Sequence, residues 1–142
     1  MPIRVGDKAS RAFVVDREAM RWFQQISEDT SLIHTDPDYA RSRGFDDVIA
    51  YGGIMLAHLS HILGMMIPGA RGASTRWTID YRRPLYVDEP ARIDFEVVNT
   101  SPGTGIVEGR FKIRAGDRVI ASGTTQSIVP PEDVAVEPDP AG

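Results

Sequence analysis

Apolar residues recur along the chain in three different rhythms, and each predicts a different kind of element. Between Asp16 and Ser27 the apolar positions Met20, Phe23 and Ile26 recur at helical spacing, with Trp22 nearby. Asp16 is placed to cap the start and Glu18 suits the positive first turn, so a helix from Asp16 that fades near Ser27 is expected. Asp36-Pro37 marks a second helix start, with proline at the first position, where its missing N–H costs nothing. Asp29 to Thr35 is then a connection between two short helices.

The second rhythm is none at all. From Gly52 to Ile67 the run GGIMLAHLSHILGMMI is apolar on nearly every face, which predicts a helix buried all round rather than an amphipathic surface helix. Its sixteen residues make about 24 Å. That is short of a comfortable membrane span, and His58, Ser60 and His61 would lie inside the bilayer. The helix must instead be wrapped by other parts of the chain.

The third rhythm is alternation. It runs through Arg76 to Tyr81, Arg92 to Asn99, Ile106 to Arg114 and Val119 to Val129, with SPGTG and AGD as turns between the later segments. Leu85 to Val87 could resume the first of these strands after Pro84, or begin another segment. Ala12 to Val15 reads as a short entry strand after a turn at Val5-Gly6-Asp7. A short strand, helical segments, one buried helix and a meander of about four long strands together predict an α+β domain. In it a curved antiparallel sheet wraps one long buried helix, the hot-dog architecture. The domain is expected over 1–130, with 131–142 an acidic, proline-rich and disordered tail.

Composition narrows the function classes. A length of 142 residues with 42% hydrophobic content supplies one core. The net charge of −4 argues against nucleic-acid or anionic-membrane binding as a general function. No cysteine is present, which excludes disulfides and thiolate chemistry. MPIRVGDKAS has no apolar run resembling a signal peptide, so a cytoplasmic protein is the expectation.

The candidate chemistry lies in two places. Asp29 and, five residues later, His34 sit where catalytic groups are commonly displayed; alternatively they are a capping carboxylate and a surface imidazole. Gly52-Gly53 opens the buried helix, where free amides and the helix dipole would favour an oxyanion; close packing alone would also explain the glycines.

ISEDTSLIHTDPDYARSRGFDDVIAYGGIMLAHLSHILGMMIPG, Ile26 to Gly69, resembles the signature region of the MaoC-like dehydratases, the (R)-specific enoyl-CoA hydratases. The family pattern is approximately S-[GE]-D-x-N-P-[IL]-H-x-D-x-x-[YF]-A, then [IV]-[AV]-H-G-M and a helix ending in L-P-G. YRRPLYVDEPARIDFEV resembles its later F-x-x-P-V-x-x-G-D segment. The resemblance implies a hydro-lyase that adds water to a 2-enoyl thioester with (R) stereochemistry, or dehydrates a 3-hydroxyacyl thioester. It implies Asp29 and His34 as the catalytic pair and Gly52 as the oxyanion amide. Ser60 would line the site, and Ser31, Tyr51 and Gly53 stand at its rim. No metal and no separate cofactor is expected; coenzyme A or carrier-protein phosphopantetheine belongs to the substrate. The chain departs from the pattern at Ser31-Leu32 for Asn-Pro, at Tyr51-Gly52-Gly53 for His-Gly-Met and at Asp88-Glu89 for Gly-Asp.

Two other readings stay open. Thioesterases of one hot-dog branch carry His-Gly-Gly before this helix and a carboxylate along it, whereas Gly52 to Ile67 has none. A catalytically silent subunit that binds acyl thioesters is the other. Arg71, Arg76, Arg82 and Arg83 are either solvated charges or partners for substrate phosphates, with Arg82 placed at the site. His58 and His61, at i and i+3, lack the third ligand that a zinc site wants and read as core or interface residues with backbone partners. An open sheet edge predicts a homodimer or a dimer of dimers.

Overall fold

A computed structural model of the chain describes residues 1–138. The first strand, β1 (Lys8–Val14), leads into α1 (Arg17–Ser27), α2 (Leu32–Thr35), α3 (Pro37–Ser42) and the long α4 (Gly52–Met65). Four long strands follow: β2 (Ala73–Tyr81), β3 (Pro90–Ser101), β4 (Ile106–Ala115) and β5 (Arg118–Ile128). They form one antiparallel sheet in the order β1-β3-β4-β5-β2.

Local chemistry sets the helix ends. Asp16 accepts a hydrogen bond from the Ala19 amide at 2.8 Å, and Asp36 accepts from the amides of Asp38 and Tyr39. Glu28 ends α1 in the left-handed region at φ 56°. Alternating residues of β3 and β4, among them Ile93, Phe95, Val97, Phe111 and Ile113, are buried against α4. From α4 come Ile54, Met55, Leu59, Ile62 and Leu63. Full burial of a side chain such as Leu59 contributes about 1.5–3 kcal/mol.

Four expectations need correction. The three later strands form the meander, but β2 pairs with β5 at the sheet edge, so the chain crosses to the far side before β3. Leu85 to Val87 does not resume β2 but belongs to a separate segment, in which Tyr86 makes an isolated bridge to Ile49. His34 stands on the short helix α2 rather than in an irregular connection. The long helix ends at Met65 and is not buried all round, since Ala57, Ser60 and Met65 are exposed; its apolar composition hid that outer face.

The tail is the fourth. Pro131–Asp133 forms a 3-10 turn, and Val134 bridges Ile3 in parallel, with Val134 and Ala135 buried. Arg71 pairs with Asp133 at 2.8 Å and Glu132 at 3.3 Å, so contacts distant in sequence order a segment whose composition suggested disorder. The rest of the expected tail, 139–142, lies outside the described residues. Among the described residues, no helix is long and apolar enough to cross a membrane.

Candidate active site

The start of α4 organises the site. Tyr51 is its N-cap residue but offers no side-chain cap, and among the described residues no hydrogen bond uses the Gly52 N–H. That amide sits at the positive end of a fourteen-residue helix. A cavity of about 470 Å³ opens there, walled by His34, Gly52, Met55, Tyr81, Arg82 and Pro84 among others.

His34 is fixed by its backbone surroundings. Its Nδ1 lies 2.8 Å from the Ile49 carbonyl oxygen. A carbonyl can only accept, so Nδ1 carries the hydrogen and the neutral ring keeps its lone pair on Nε2. The ring stacks on Tyr51 with centroids 4.2 Å apart.

Asp29 is half-buried in the turn between α1 and α2. Its Oδ1 accepts the Ser31 amide at 2.9 Å, and its own amide donates to Ser27 Oγ at 3.1 Å. The Ser31 side chain and amide hold the carboxyl below its usual 3.8, and the nearby His34 charge adds to this. Tyr51 joins the two predicted catalytic residues, because its hydroxyl donates to the Asp29 carbonyl oxygen at 2.5 Å while its ring supports His34. Burial, then the Asp29 charge, push the Tyr51 phenol upward.

The rim residues divide. Tyr51 is 2% exposed, so its ring is a support between Phe23 and His34 and presents almost no surface to a ligand. Gly53 makes room for packing: a Cβ there would lie 2.3 Å from the Phe23 ring. Ser31 holds Asp29 by its amide. Ser60 is exposed more than two turns along α4 and borders a separate cavity of about 200 Å³ with Leu63, Trp77 and Ser127.

Of the four arginines, Arg82 and Arg83 wall the His34 cavity. Arg82 Nε donates to Ser122 Oγ at 3.0 Å. Arg71 is committed to the tail, and Arg76 borders a shallow hollow with Val98 and Glu108. His58 has a side-chain partner rather than the backbone one expected: Arg11 Nε donates to its Nδ1 at 3.2 Å, and its ring stacks on Phe13 at 4.2 Å.

Two residues were not singled out from sequence. Tyr81 lies across Gly52, and a Cβ on Gly52 would fall 2.6 Å from its Cζ and hydroxyl oxygen. Its place in the F-x-x-P segment was the available signal. Arg118 secures the cavity wall by donating to the Pro84 carbonyl at 2.7 Å and to Glu89 through a very short contact. The Asp88-Glu89 departure is intelligible here, because Asp88 occupies the left-handed region at φ 68°, where glycine is favoured. Glu89 supplies the carboxylate for Arg118.

Comparison with known proteins establishes the family and the fold. An (R)-specific enoyl-CoA hydratase of Rhodospirillum rubrum is 24% identical over 128 residues, covering 90% of this chain and 89% of the relative. Another of that name from Aeromonas caviae is 25% identical over 95 residues, covering 67% and 71%. The solved structure of an (R)-hydratase from A. caviae superposes with a TM-score of 0.84 at 22% identity, covering 90% of this chain and 98% of that one, which shows a shared hot-dog fold. Residues 4–117, everything from before β1 to the turn ahead of β5, match the family described as MaoC like domain, and the chain belongs to that family.

Proposed function

We propose that this protein is an (R)-specific 2-enoyl-thioester hydratase, equally a 3-hydroxyacyl-thioester dehydratase, acting in the cytoplasm. The observation that carries the reading is the junction at α4: His34 with Nε2 unshared and Gly52 with a free amide line one cavity, while Tyr51 stacks on His34 and holds the Asp29 backbone carbonyl. The two relatives named (R)-specific enoyl-CoA hydratase support the reaction class.

Water held between Asp29 and His34 would direct its hydrogens toward the carboxylate and Nε2. As its oxygen bonds to C3, the C2=C3 electron pair moves toward the thioester carbonyl and one proton passes to the dyad. That proton returns to C2 on the same face. The Gly52 amide and helix dipole stabilise the enolate oxygen, a contribution of about 2.7–4 kcal/mol for comparable donors. Met55 and Leu85 offer apolar wall to the acyl group, and Arg82 and Arg83 offer charge to coenzyme A or phosphopantetheine phosphate. Hydrolysis finds less support, since α4 carries no carboxylate.

The outer edge of β2 has no partner strand among the described residues, and Trp77 and Tyr81 on it are 36% and 50% exposed. A homodimer that joins β2 to its copy would continue the sheet and enclose the cavity that Tyr81 borders.

The test is the loss of enoyl absorbance with crotonyl-CoA and a medium-chain homologue, with free thiol assayed in the same sample. Hydration without thiol release, giving the (R)-3-hydroxyacyl product, is expected. Thiol release would replace the reading with hydrolysis, and binding without either signal would replace it with a silent acyl-thioester subunit.

A further inference from the structure

Tyr81 stands where the F-x-x-P pattern has phenylalanine, and it carries a hydroxyl there. The group is placed with some economy. It borders the same cavity as His34 and Gly52, and its oxygen is in contact range of the Gly52 backbone. Among the described residues it takes part in no hydrogen bond, which leaves its O–H available to a ligand. Burial pushes the phenol above its ordinary 10.0, which keeps the hydrogen in place through neutral and mildly alkaline pH.

An oxygen that accepts from the Gly52 amide therefore lies beside a second unshared donor. We propose that Tyr81 is a catalytic residue of the hydration reaction, donating its phenolic hydrogen bond to the thioester carbonyl oxygen together with the Gly52 amide. No proton is transferred. When the water oxygen bonds to C3, the displaced electron pair becomes the enolate, and the Tyr81 O–H bond strengthens as charge grows on that oxygen. Protonation of C2 by the dyad returns the carbonyl and weakens the contact. The inference rests on the hydratase reading, so its test needs a signal besides turnover.

Tyr81→Phe removes the hydroxyl alone and keeps the ring across Gly52. With crotonyl-CoA the variant should lose roughly 100-fold in kcat, as expected for one oxyanion donor, with KM changed by less than about threefold. The second measurement binds acetoacetyl-CoA and follows its enolate absorbance against pH. The enolate should form at lower pH on the parent protein than on Tyr81→Phe. Parental kcat in the variant, or identical enolate titrations, would overturn the proposal. A parent that shows the Tyr81-dependent enolate shift but no hydration would refute the hydratase reading while leaving carbonyl recognition by Tyr81 in place. Absence of both signals would remove both.

Discussion

The Tyr51 hydroxyl donates to the carbonyl oxygen of Asp29 across twenty-two residues of chain, at 2.5 Å. One buried phenol thereby couples the N-terminus of α4 to the turn that displays the carboxylate. Its ring is held between Phe23 and His34, so an error in its placement would move both members of the proposed dyad.

Tyr51→Phe keeps the stacking and deletes that bond. The expected loss of stability is about 1 kcal/mol, read as a lower urea midpoint, with a fall in kcat as the dyad loosens. The folded phenol holds its proton more tightly than the unfolded one. Its contribution is therefore complete below pH 10 and lost as pH rises through the folded value. The variant should lack this part of the alkaline destabilisation, which pH-dependent unfolding measures.

Asp29→Asn and His34→Ala should each lower kcat by about 10²–10⁴-fold with circular dichroism unchanged, since each removes a group proposed to transfer a proton. Parental rates in either variant would remove that residue from the mechanism.

The Ser31 side chain is the largest influence lowering the Asp29 carboxyl. Ser31→Ala should move the Asp29 titration upward toward 3.8 in carbon-detected NMR. The stability linked to this group is present above the unfolded value and lost as pH falls through the lower folded one, so the variant should lose less of it on acidification.

Gly52→Ala and Gly53→Ala separate site from packing. A Cβ at Gly52 would meet the Tyr81 ring and intrude on the cavity wall, so kcat/KM should fall at least about tenfold with a small change in stability. At Gly53 the Cβ would meet Phe23 at 2.3 Å, and overpacking should cost about 1–3 kcal/mol in denaturant unfolding.

Arg118→Met should free the Pro84 carbonyl and leave Glu89, whose side chain is 21% exposed, without its cation. A loss of about 1–3 kcal/mol is expected, with a higher KM because Pro84 walls the cavity. Urea unfolding and steady-state kinetics read the two effects separately.

Much of this protein is written in short-range sequence. Asp16 and Asp36-Pro37 mark helix starts because a cap is satisfied within three residues, and the period-two runs mark β3 to β5 because every second side chain faces the core. The resemblance of Ile26 to Gly69 to a family motif marks Asp29, His34 and Gly52 as candidate chemistry for a similar reason, since a motif is a local record. The tertiary structure decided what depends on distant partners. Pairing with β5 put β2 at the edge, and the contacts to Ile3 and Arg71 ordered a tail that composition alone would leave loose. The Ile49 carbonyl chose the His34 tautomer, Tyr51 turned from a rim residue into a buried strut, and Tyr81 came to lie across Gly52. Each of these depends on where a partner many residues away comes to rest, and periodicity within one segment carries no record of that.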